Sequence, residues 1–220
     1  MNHTKRHNVF NNIHKGLRTM LLSTQIKWQQ TDFTSPEAAA TITSLERVLY
    51  YYDEHANHED KFILSNIVQE EPEIAAALEE DHIVDHELSR KLRNMLSQLK
   101  EASSDESKEA AADAVFYVLN EFIAFNLYHM NKEETVLLPL LWKHFSDAAI
   151  LSMEQRIIAS INPEVLIEES RWMMRSINNS EIGAWLDGVK KSAPEFVYHS
   201  FVQMASEELT TERFAALQLS

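Results

Sequence analysis

The residues able to do chemistry in this chain are histidines and glutamates set at a repeated interval. His55 and Glu59 stand four apart, His82 and His86 four apart, and His129 and Glu133 four apart, with His14 alone further upstream. A spacing of four on an α-helix returns to one face a turn later, so each pair can aim two donors at one place. There is no cysteine. Disulfides, thiolate zinc sites, iron–sulfur clusters and cysteine nucleophiles are thereby excluded, and any metal must be held by nitrogen and oxygen.

A lone histidine in a helix is ordinarily a surface residue or a hydrogen-bonded core residue, and a glutamate four residues on is ordinary decoration. Four segments that each carry such a residue need a further reason, because buried imidazoles and carboxylates are costly to desolvate unless something satisfies them. Five imidazoles and two carboxylates are too many for one tetrahedral zinc and too rich in nitrogen for calcium or magnesium. They suit two six-coordinate first-row ions, with iron the best match.

These residues need helices to position them. The chain has 220 residues, 45% hydrophobic, with only 3 Gly and 5 Pro, which favours long helices over β-turn chemistry and predicts an all-α fold. Phe10, Ile13, Leu17, Leu21 and Trp28 form one apolar stripe and predict a first helix over Thr4 to Gln30. A second starts at Ser35-Pro36-Glu37 and runs to about Glu70; a third follows Pro72 and runs to Lys100. Ser103 with Glu106 reads as a capping box opening a fourth, which reaches Phe145 with Pro139 kinking its last turns. Asn162-Pro163, Asn178 with Glu181, and Ser192 before Pro194 predict three or four shorter helices beyond. Counted from the layer where the first helix ends and the second begins, His14, His55, His86 and His129 lie at comparable depth in an up-down-up-down bundle. The expected organisation is a four-helix bundle over 1–148 and a C-terminal helical extension over 149–220 packed on it.

The order His, His-x-x-x-Glu, His-x-x-x-His, His-x-x-x-Glu is similar to the ligand pattern of hemerythrin-like (HHE cation-binding) domains. So are the strings Ile-His14-Lys-Gly-Leu-Arg18 and His129-Met-Asn-Lys-Glu133-Glu134-Thr-Val-Leu-Leu-Pro139, and the resemblance covers about residues 5 to 146. It implies a pair of non-haem irons, with His82, His86 and His129 on one and His14 and His55 on the other. Glu59 and Glu133 would bridge them, with an oxo or hydroxo group completing the pair. Oxygen-carrying members place the last carboxylate five residues after its histidine, which here is Glu134; the four-residue spacing lies closer to the His129 face and selects Glu133. The segment from Glu154 through Arg171-Trp172-Met173-Met174 to Phe196 resembles the stretch that follows such modules in plant iron-sensing ubiquitin ligases, whose cysteine-rich zinc modules have no counterpart here.

The function expected is binding or sensing of O2, NO or iron, with no catalytic residue assigned. Five histidines would leave little open coordination, which favours binding. A di-iron enzyme, either a peroxidase or oxidase or a repair factor for nitrosative or oxidative stress, is the alternative. The formal net charge of -14 argues against nucleic acid and anionic membranes as partners. No segment looks apolar enough to span a bilayer, and a cytoplasmic location is expected. His58 reads as solvent-facing, His7 as outside the site, and Tyr51, Phe62, Phe122 and Phe125 as core.

Overall fold

A computed structural model describes residues 6–219, and every regular element among them is helical. The helices are α1 (Asn11–Gln30), α2 (Ala38–Glu59), α3 (Ser65–Ile67), α4 (Pro72–Glu101), α5 (Asp105–Lys132), α6 (Leu138–His144), α7 (Asp147–Ser160), α8 (Pro163–Ser176), α9 (Asn179–Ser192), α10 (Glu195–Glu208) and α11 (Thr211–Ala215). A π turn over Asp60–Leu64 joins α2 to α3, and another over Glu133–Leu137 joins α5 to α6. The described chain forms two compact units: residues 6–10 with Met20–Ala159, and Asn11–Thr19 with residues 160–219.

The first unit is a helical bundle whose neighbouring helices run antiparallel. Lys27 of α1 reaches Ser44 of α2 while Thr31 meets Thr41. Asp53 of α2 and Asp60 of the π turn after it meet His86 and His82 of α4, and Asp81 and Asp85 of α4 meet His129 and Asn126 of α5. The Trp28 indole of α1 donates to the Ala112 carbonyl of α5. One end of the bundle is filled by Phe10, Ile63, Leu64, Ile67, Leu78, Leu137, Leu141 and Ile150, so both π turns and α7 feed the same core.

The sequence of α4 explains how it sits. Its buried residues Ala75, Leu78, His82, Asp85, Ser89, Leu92, Leu96 and Leu99 alternate steps of three and four, the seam of a helix packed lengthwise on its neighbours. Pro72 occupies its first turn, where a missing N–H costs nothing.

Several expected boundaries move. Arg6 to Phe10 are not helical and α1 begins at Asn11, while Thr4 lies outside the described residues. The reciprocal cap of α5 is Ser104 with Ser107, one residue beyond the expected pair: the Ser107 N–H donates to Ser104 Oγ and the Ser104 N–H to Ser107 Oγ. Pro139 falls in the first turn of α6, just after a π turn has already broken the i to i+4 ladder, so its missing donor is absorbed there. The stretch Asp105–His144 also corrects the hydropathy reading, because one 18-residue window reaches a mean hydropathy of 1.3. Part of its apolar load is core: Val115, Leu119, Phe122, Leu137 and Leu141 are wholly buried, while Tyr117 and Tyr128 are exposed.

The second unit has its own core of Met174, Ile177, Ile182, Leu186, Met204, Ala205 and Leu209. Asn162 caps α8, and Asn178 with Glu181 forms the capping box of α9, both as the sequence predicts. Arg213 donates to the Arg175 and Ile177 carbonyls at the end of α8, satisfying groups the helix leaves open. Gly16 of α1 packs so closely on α8 that a Cβ there would stand 3.1 Å from the Met173 nitrogen.

Candidate metal centre

Glu59 closes α2 and Glu133 opens the π turn after α5, and both carboxylates are almost fully buried, at 2% and 0% exposure. Glu59 is shared between two histidines. One of its oxygens lies 3.2 Å from His55 Nε2, and the other lies 3.5 Å from His82 Nε2. Glu133 Oε1 lies 3.4 Å from His129 Nε2 and 4.0 Å from His82 Nε2. Donor atoms of Glu59, His82, His129 and Glu133 all fall within 4.8 Å of one another. Among the described residues, the Nε2 atoms of His82 and His129 meet no hydrogen-bond partner.

These separations are those of ligands around an ion. Two donors at about 2.1 Å from one metal in a cis arrangement stand roughly 3 Å apart, so donor atoms 3.2 to 4.0 Å from one another suit a shared cation. The electrostatics agree. Burial, and then the neighbouring Glu59, drive the Glu133 carboxyl well above its ordinary range. Burial works to lower His82, but Asp60 and Glu59 outweigh it and push the imidazole up to about 10. His129 is lowered, chiefly by burial, with Glu59 and Asp81 opposing. Two adjacent buried carboxylates call for positive charge, and a cation held between them would supply it.

The histidine rings are held from behind. Asp60 Oδ1 lies 2.6 Å from His82 Nδ1, and Asp81 Oδ2 lies 3.3 Å from His129 Nδ1 and 2.7 Å from Lys132 Nζ. Phe125 stacks on the His129 ring, with centroids 6.2 Å apart. Asp60, Asp81 and Lys132 were not singled out from sequence. Each is adjacent in the chain to a cluster residue, Glu59, His82 or Glu133, and that adjacency is the only signal the sequence offers.

His86 is the expected ligand that the structure does not bring to this cluster. The buried seam of α4 steps from His82 to Asp85 and Ser89, leaving His86 one position off it. Its Nδ1 lies 3.1 Å from Asp53 Oδ1, and the side chain is 39% exposed. With Asp85 the two make a separate group, and Arg93 supplies its positive charge at 2.6 Å from Asp53. Asp85 itself is buried, accepts a hydrogen bond from Asn126, and is pushed up to about 6 by that burial.

His14 is wholly buried on α1, in the portion belonging to the second unit. Glu133 rather than Glu134 faces the histidines, and Glu134 is only part-buried. His58 is half-buried and stacks on Phe62 instead of facing solvent, which lowers its basicity through burial. His7 pairs with Glu154 at 2.9 Å, away from the cluster. Tyr51 and Phe122 are core, as expected.

The model of the hemerythrin HHE cation-binding domain matches residues 6–141. The chain belongs to the hemerythrin family. Comparison with curated proteins and with solved structures gives no match. Within the hemerythrin match lie all the helices that carry the cluster, and its histidines and glutamates are of the kind that hold a metal cation.

Proposed function

We propose that this chain is a non-haem di-iron protein that binds or senses O2, NO or iron. The observation that carries the reading is Glu59, buried, with one oxygen toward His55 and the other toward His82, the posture of a carboxylate that bridges two ions. His82 and His129 would hold one iron and His55 and His14 the other, with Glu59 and Glu133 shared, inside an up-down-up-down four-helix bundle acting in the cytoplasm. His14 joins the set as the buried imidazole of the first helix of the hemerythrin match. His86 stays with Asp53.

Each iron then receives two imidazoles and two carboxylates, which leaves open positions on six-coordinate ions. That coordination supports uptake of a small ligand. It also removes the crowding that five histidines would impose, so an enzyme of the peroxidase or oxidase type is the second reading. When bound, the irons would supply a site for a diatomic ligand or for redox chemistry. The protein's part is to hold four Nε2 atoms and two carboxylates around them, and to keep water out with the surrounding apolar core.

Metal analysis and optical spectra of aerobically purified protein, repeated after anaerobic reduction and re-exposure to O2, test this. Two irons per chain with a spectrum that O2 changes reversibly supports a carrier or sensor. Bleaching followed by irreversible oxidation, with peroxide consumed over many turnovers, favours the enzyme. Protein that takes up no iron, with spectra indifferent to His55→Ala, ends the di-iron reading.

A further inference from the structure

Three groups around the cluster form a connected set across helices. Asp60 follows Glu59 on the α2 side and contacts His82 of α4; Asp81 precedes His82 on α4 and contacts His129 of α5; Lys132 precedes Glu133 on α5 and returns to Asp81. Both histidine contacts are made at Nδ1, on the far side of the ring from the Nε2 atom that faces the glutamates. A carboxylate at Nδ1 keeps the proton there, leaves Nε2 as the lone-pair donor, fixes the ring plane and raises the ring's strength as a ligand.

The two carboxylates are not equivalent. Asp60 stands close to His82, at 2.6 Å. Asp81 stands further from His129, at 3.3 Å, and the same Oδ2 atom is 2.7 Å from the Lys132 ammonium. Lys132 is also fixed by the Ala77 carbonyl at 3.1 Å, so it holds the Asp81 charge away from the imidazole.

We infer that Asp60 and Asp81 are positioning residues for the His82/His129 metal position, and that Lys132 weakens the hold of that position by drawing Asp81 toward itself. This rests on the di-iron reading above. It adds a control on affinity that the ligands alone do not contain: one position whose grip is set from two adjacent helices.

The test is anaerobic titration of the full chain with ferrous iron, and with cobalt(II) as a spectroscopic probe, in wild type, Asp60→Asn, Asp81→Asn and Lys132→Met. In both asparagine variants one ion is expected to bind about 10- to 100-fold more weakly, with its cobalt bands altered, while the second ion binds as in wild type. Lys132→Met is expected to tighten that same ion. The opposite sign separates a tuning role from a structural one, since Asp81→Asn and Lys132→Met break the same ion pair and would move together if the pair only held helices in place. Asp81→Asn lies on a different helix from Asp60→Asn, so loss of folding in one leaves the other decisive. Unchanged affinity in both asparagine variants, equal weakening of both ions, or weakening in Lys132→Met overturns the inference while leaving the di-iron reading intact. A wild type that binds neither ion overturns both.

Discussion

Glu133 shows at residue scale what the cluster costs without an ion. Its carboxyl is buried, and burial with the adjacent Glu59 holds its ionisation well above the ordinary value. A carboxyl whose folded value is raised opposes folding once pH exceeds its unfolded value near the usual glutamate range, and the penalty grows until pH passes the folded value. Glu133→Gln is therefore expected to stabilise the metal-free protein by about 1–3 kcal/mol at neutral pH, with the gain fading as pH falls toward that range. Urea denaturation with a chelator present, at neutral and acid pH, checks it; a less stable variant at neutral pH refutes it. His86→Ala is expected to leave the bound iron unchanged, since His86 answers Asp53. Loss of one iron in that variant would instead restore His86 to the ligand set. The two histidine–glutamate pairs, 55/59 and 129/133, were readable because ligand types recur on one helical face. His86 stands apart from the cluster for a related reason: a spacing of four keeps two residues near one face, but the seam of α4 advances by threes and fours, and Asp85 takes the buried step. The run Ala75, Leu78, His82, Asp85, Ser89, Leu92 carries that information in the sequence itself.

At the scale of elements, proline and cap chemistry placed the helix starts at Pro72, Asn162 and Asn178, because those signals act through backbone groups of their immediate neighbours. The two π turns were not legible, since nothing in a local apolar pattern distinguishes a turn of i to i+5 bonding from one of i to i+4. Close approach between helices was equally hidden. Gly16 gave no signal, yet a Cβ there would stand 3.1 Å from the Met173 backbone nitrogen and 3.2 Å from Met173 Cγ. Gly16→Ala should gain about 1 kcal/mol of helix propensity and lose more to overpacking, about 1–3 kcal/mol. A net fall in stability on chemical denaturation is the expected result, and a variant more stable than wild type would show that the two helices can part.

For the whole molecule, metal and stability are linked. An ion that binds only the folded cluster stabilises it by about 2.7 kcal/mol at a free concentration a hundredfold above its dissociation constant. Stripping the metal with a chelator should therefore lower the thermal midpoint, and restoring iron should raise it in proportion to the logarithm of free iron. A midpoint indifferent to chelator would mean that no ion is held by the folded state. The net charge of -14 belongs to this scale as well. A surface so acidic concentrates cations near the protein and repels phosphate-rich polymers.

The two π turns bear on how such a chain can change its length. Each is in effect a helix with one residue too many, placed directly after Glu59 or beginning at Glu133. Deleting one residue from 60–64 would let an α-helix close up, and because the wider turn is what absorbs the extra residue, the helix beyond would keep nearly its present orientation, with Ile67 near the core it now fills. The same deletion in the connection at 68–71 would be absorbed by a turn. Single-codon losses should thus be tolerated in these two turns as they are between helices, whereas one within the regular run of α4 or α5 would turn all that follows by about 100° and break the packed seam.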